Sequence, residues 1–147
     1  METEKIDAVN SLIVINHDRE EGYSRAAEDT KDADLKTLFS KFSQQSKTFS
    51  EELRRFVPNS EEPERDETKN TGKLHRLWMD LKVKVTGNDR KVILSSCEFG
   101  EDHANKTYSE ALENQEELPL GAFEVITRQR LEIQKSHDLI KSIRNAS

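Results

Sequence analysis

Apolar residues recur along most of this chain in steps of three and four, the spacing of one inward face on packed α-helices. The first series reads Ile6, Val9, Ile13, Asn16, Glu20, Tyr23, Ala27 and predicts a helix over about 3–30, with Thr3 as its N-cap. The break at Lys31-Asp32-Ala33-Asp34 is short, so a second helix, over about 33–57, must turn back antiparallel. Its inward residues are Leu35, Leu38, Phe39, Phe42, Phe49, Leu53 and Phe56, and Pro58 ends it. A polar crossover over about 58–88 follows, with a short extra helix over about 73–85 carrying Leu74, Leu77, Trp78, Leu81 and Val85. The third helix, over about 89–116, has the seam Leu94, Cys97, Glu101, Ala104, Tyr108, Ala111. The fourth, over about 119–144, opens at Pro119 and has the seam Phe123, Ile126, Arg130, Ile133, His137, Ile140.

Connection lengths set the expected topology. Two links are a few residues long, and the middle one is long enough to travel the length of the bundle, roughly 40 Å for the first helix. One long crossover makes the first and fourth helices parallel and the second and third parallel, an all-α up-down-down-up bundle in a single domain, 1–147.

Three ionisable residues interrupt the apolar seams: Glu20, Glu101 and His137. Counted from a common end of the bundle, they stand at one level to within about one turn. A buried carboxylate is costly unless paired, hydrogen-bonded or bound to metal. Two carboxylates and an imidazole suit one Fe, Mn or Zn ion, with Gln134 as a weaker ligand. Tyr23, Tyr108, Asn16 and Arg130 lie within a turn or two, as hydrogen-bond partners for such a site or as members of a purely structural polar layer that fixes helix register. Glu21, Glu98 and His103 fall away from the seams and read as exposed.

Composition narrows the classes. Charged residues make up 35% and the net charge is −6, so a nucleic-acid partner gains no general electrostatic help. The single Cys97 allows no disulfide within the chain and no cysteine-based zinc motif. Neither a secretory signal nor an apolar run of membrane-spanning length stands in the sequence, which predicts a cytoplasmic protein with no membrane partner. A homo-oligomer is compatible with the charged faces. No Gly-rich phosphate loop, nucleophile elbow or dinucleotide fingerprint is present.

The chain resembles an uncharacterised bacterial family of ferritin-like four-helix-bundle proteins, a domain of unknown function. The resemblance rests on Glu20-Glu21-Gly22-Tyr23 through Asp29, Leu35-Lys36-Thr37-Leu38-Phe39, Leu74-His75-Arg76-Leu77-Trp78, Cys97-Glu98-Phe99-Gly100-Glu101-Asp102, Tyr108-Ser109-Glu110-Ala111-Leu112 and Gln134-Lys135-Ser136-His137-Asp138. It is also similar to the wider ferritin group, whose di-iron members take a Glu from the first and third helices and Glu-x-x-His from the second and fourth. That resemblance implies Glu20 and Glu101 for the single glutamates and Gln134 with His137 for the last pair. The second helix offers Phe42, Gln45, Ser46 and Phe49 instead, which argues against a di-iron ferroxidase or oxygenase. The expected function is a non-catalytic bundle with a polar or single-metal core site, in stress or metal handling by analogy of fold. The alternatives are a metal-dependent redox protein using Glu20, Glu101 and His137, and an interaction module acting through its surface.

Overall fold

A computed structural model describes residues 2–58 and 90–147. Within them the protein is all-α, with four long helices and no strand: α1 Glu2–Asp29, α2 Ala33–Arg54, α3 Arg90–Glu113 and α4 Ala122–Asn145. The expected crossover over 58–88 and its short helix over 73–85, with His75 and Trp78, lie almost wholly outside the described residues. The other boundaries fall within about three residues of those the sequence predicts.

One three-residue difference precedes α4. Pro119 does not open the helix. The chain makes a 3-10 turn at Gln115–Glu117 and passes through Gly121, at φ 86°. That left-handed conformation favours glycine, so Gly121 rather than Pro119 sets where α4 begins.

Hydrogen bonds fix the helix directions. Ser24 bonds Ser43 and Arg19 bonds Ser46, so α1 and α2 are antiparallel. Asn16 bonds Tyr108 and Arg19 bonds Glu101, so α1 and α3 are antiparallel as well. Asn105 bonds Gln134 and Tyr108 bonds Gln129, which makes α3 and α4 antiparallel. At one end Arg90 donates to both Asp32 (3.0 Å) and Asp34 (2.8 Å), tying the first turns of α2 and α3 together.

The core is split. One apolar cluster includes Leu12, Ile15, Phe49, Leu53, Ala104, Ile126 and Ile133. The other includes Ala26, Leu35, Phe39, Phe42, Leu94, Cys97 and Ile140. Between them, in residue order on α1, α2, α3 and α4, lie buried Arg19, Ser46, Glu101 and Ser136. A polar level therefore separates two hydrophobic ones.

Buried positions correct the expected seams. On α3 all six expected residues are buried. On α4 only one of two heptad columns is right, and on α1 the second column is right at Ile13 but not at Glu20. The buried series on α1 is Val9, Leu12, Asn16, Arg19, Tyr23, Ala26, Thr30, and that on α4 is Ala122, Ile126, Gln129, Ile133, Ser136, Ile140. The columns through Asn16 and through Ile133 hold; the companion column is displaced by one residue, except that Ile13 is buried beside Leu12. Steps of three and four fit either placement, because neighbouring helix positions are only about 100° apart.

Candidate functional site

The displaced column changes which polar groups occupy the interior. Arg19 takes the place expected for Glu20 and is fully buried, as is Glu101. Arg19 Nε donates to Glu101 Oε1 (2.5 Å) and Nη2 to Oε2 (2.8 Å), a bidentate pair. Its remaining reach goes to α2: Nη1 to Ser46 Oγ (2.8 Å) and Nη2 to Gln45 Oε1 (3.2 Å). The Ser46 hydroxyl in turn donates to the Phe42 carbonyl (3.0 Å). The guanidinium also lies 5.4 Å from the centre of the Tyr23 ring.

Burial works against the charge on Arg19, but the attraction of Glu101 and its hydrogen bonds outweigh it and raise the guanidinium pKa. Burial and then the nearby Glu101 charge push the Tyr23 hydroxyl well above its ordinary value, so Tyr23 stays neutral beside the pair. Gln45 and Ser46 are polar residues beside the apolar face of α2, and here they complete the coordination of a buried arginine. Replacing such a pair with apolar residues is often neutral, whereas removing one partner is strongly destabilising.

A second polar level lies about one turn below and touches all four helices. Asn16 Nδ2 donates to the Leu12 carbonyl (2.8 Å) and to Tyr108 Oη (2.7 Å). Tyr108 donates to Gln129 Oε1 (2.6 Å), and Gln129 Nε2 donates to the Phe49 carbonyl (3.2 Å) and Glu52 (3.0 Å). Burial raises the pKa of Tyr108, which keeps its proton in this chain. Chains of this kind orient each member and leave little freedom of helix register.

His137 lies elsewhere. It is half-buried on the flank between α3 and α4, with Nε2 2.7 Å from Asp102 Oδ1 and 3.8 Å from Glu98 Oε2. Its Nδ1 faces Asp138 Oδ1 at 3.2 Å. Hydrogen bonds from His137 and then Gln134 hold the Asp138 carboxyl below its ordinary value. Arg144 pairs with Glu98 Oε1 (2.5 Å).

The structure therefore does not bring Glu20, Glu101 and His137 together. Glu20 is half-buried, and its backbone carbonyl accepts from Ser43. Glu101 belongs to Arg19, and His137 belongs to an outer cluster. Arg130 is exposed and bonds Asn105 (3.3 Å), so it is no rival for the core carboxylate. Gln134 accepts from Asn105 (2.6 Å) and donates to Asp138 (3.0 Å). Tyr23 lies beside the buried Arg19, and Asn16 and Tyr108 belong to the second polar level. Arg19, Gln129, Glu98 and Asp102 were missed. The i, i+4 spacing of Glu98 and Asp102 was the available signal, because it sets both carboxylates on one face of α3 toward α4.

Among the described residues, the fold and these levels define a four-helix, all-α bundle with a hydrogen-bonded polar interior. The family described as Domain of unknown function (DUF2383) matches residues 4–114, and the chain belongs to that family. No curated protein matches the chain. Among the described residues no helix is long and apolar enough to cross a membrane.

Proposed function

We propose that this protein is a ferritin-like bundle whose core has been given over to structure: a non-catalytic helical module that acts through its surface. The antiparallel pairs support the ferritin-like part, since α1 opposite to both α2 and α3, with α3 opposite to α4, composes to up-down-down-up. The clamp of Arg90 on Asp32 and Asp34, joining the first turns of α2 and α3, points the same way.

The observation that carries the non-catalytic part is the bidentate Arg19–Glu101 pair, closed on α2 by Ser46 and Gln45. A di-metal carboxylate centre needs several anionic oxygens converging on one point. Here the converging carboxylate already has a cation of its own, and α2 turns Phe42, Ser46 and Phe49 inward. The residues present do not fit a di-iron centre, and no step through one follows.

The test is anaerobic titration with Fe(II), with metal counted per chain after desalting, on the wild type, Glu101→Gln and the double variant Arg19→Met/Glu101→Leu. The expected result is the same metal content in all three. The double variant removes both charges and keeps the test readable if the single one unfolds. A metal equivalent lost in a folded Glu101 variant would overturn the reading.

A further inference from the structure

One cluster outside the core has the donors of a metal site. Glu98 Oε2, Asp102 Oδ1 and His137 Nε2 lie within 4.8 Å of one another. The separations from Nε2, 2.7 and 3.8 Å, bracket the roughly 3.4 Å between ligands around a tetrahedral ion bonded at about 2.1 Å. Glu98 and Asp102 come from one face of α3, and His137 reaches across from α4. Small side-chain rotations, with no movement of either helix, would equalise the distances.

The imidazole supplies a second, independent argument. Both of its nitrogens face carboxylate oxygens, Nδ1 toward Asp138 and Nε2 toward Asp102. A neutral imidazole has one N–H and one lone pair, so it can satisfy only one of these contacts. The other nitrogen then turns its lone pair toward a carboxylate oxygen, an arrangement that a cation between the two would relieve. Asp138 stands behind the outer nitrogen, as a carboxylate commonly does behind a metal-bound histidine; when it accepts from Nδ1, the Nε2 lone pair faces Glu98 and Asp102.

The surroundings suit a divalent cation. Three carboxylates, Glu98, Asp102 and Asp138, face the imidazole. Arg144 pairs with Glu98 Oε1, leaving Oε2 for the site, and Lys141 acts on Asp138. His137 and Glu98 are mostly enclosed, while the Asp102 side chain is 63% exposed. The site is thus walled on the protein side and open to water on one side, which gives an entry path and room for a water to complete the coordination.

We propose that Glu98, Asp102 and His137 bind one divalent transition-metal ion of the zinc class at the α3–α4 flank, with Asp138 as a positioning residue on the imidazole. An imidazole with two carboxylates favours zinc or a similar first-row ion over calcium or magnesium, which prefer all-oxygen sites. The inference is independent of the core reading, because none of its three ligands belongs to the Arg19–Glu101 pair.

The experiment is zinc titration of the full chain against a chromophoric chelator, with the thermal midpoint followed in parallel. The wild type should take one equivalent of zinc and melt at a higher temperature with it. Asp102→Asn, at an exposed position that folding does not need, should weaken zinc binding by at least about tenfold, as should His137→Ala. Asp138→Asn should weaken it by a smaller factor, since it acts through the imidazole. Excess calcium should not compete. Failure of the wild type to bind, or equal binding by wild type, Asp102→Asn and His137→Ala, would overturn the proposal and leave an imidazolium held between carboxylates.

Discussion

Glu101 and Asp102 are neighbours on α3, yet they belong to two regions with opposite chemistry. Glu101 is fully buried and meets a guanidinium whose planar fork supplies two parallel hydrogen bonds and whose other N–H groups find Ser46 and Gln45. Asp102 is exposed and meets an imidazole that must also serve Asp138. The first region is saturated, and nothing can enter without displacing Arg19. The second keeps one side open to water, with the Asp102 side chain 63% exposed. The contrast shows that a carboxylate near a helix seam says little by itself: the cation that reaches it, and the donors left on that cation, decide between scaffold and site.

The largest expected effect breaks the saturated region. Arg19→Met should destabilise the fold by about 3–5 kcal/mol, because it leaves Glu101 charged, buried and unpaired. Urea denaturation at neutral pH measures it. Adding Glu101→Leu to Arg19→Met should recover most of that loss, since both charges then leave the interior together. A double variant no more stable than Arg19→Met would mean that the pair stabilises the bundle outright. One turn away, Tyr108→Phe should cost about 1–3 kcal/mol, because Asn16 loses an acceptor and Gln129 a donor in a buried chain. The same denaturation series checks it, and a loss below that range would show that water takes over the vacated contacts.

The open region should answer in the reverse sense. Asp102→Asn should change stability in the absence of zinc by less than about 1 kcal/mol, as exposed ion pairs contribute little. It should nevertheless remove the rise in melting temperature that zinc gives the wild type. A large loss of metal-free stability in this variant would place the outer cluster with the scaffold and dissolve the distinction.

What the sequence made legible follows the same line. α2 and α3 were readable because each has a sharply one-sided pattern: Phe39, Phe42, Phe49 and Leu53 are all buried, as are Leu94, Cys97, Glu101, Ala104, Tyr108 and Ala111. α1 was readable as a helix but ambiguous in phase. It packs against both α2 and α3, and buries Leu12, Ile13, Ile15 and Asn16 through Arg19, so more than one face is inward. With apolar residues at both 12 and 13, periodicity could not say whether Arg19 or Glu20 continued the seam. The same one-residue displacement on α4 put Arg130 and His137 inside in place of Gln129 and Ser136. Hydropathy alone misleads here, since it discounts a buried arginine and a buried glutamine unless their partners are known. Those partners come from α2 and α3, distant in sequence, and only the fold joins them.

The smallest effect sharpens the comparison by repeating the arginine–carboxylate motif in water. Arg90 binds Asp34 through both carboxylate oxygens and Asp32 through one, at distances of 2.8 to 3.1 Å, much as Arg19 binds Glu101. Here the solvent competes for every group. Hydrogen bonds from Arg90 hold the Asp34 carboxyl below its ordinary value of 3.8. A carboxyl lowered in the folded state binds its proton less readily there than in the unfolded chain. Its contribution is therefore fully present above 3.8 and is lost as the pH falls through the lowered folded value. Arg90→Gln should destabilise the bundle slightly at neutral pH, with a difference from wild type that shrinks once the pH drops below 3.8 and that added salt also reduces. The loss from Arg19→Met should be far less sensitive to salt, because its pair is shielded from the solvent ions. Urea midpoints for both variants at low and high salt, and down an acid series for Arg90→Gln, make the comparison. Equal salt sensitivity in the two variants would mean that water reaches Arg19, and the closed core would have to be given up.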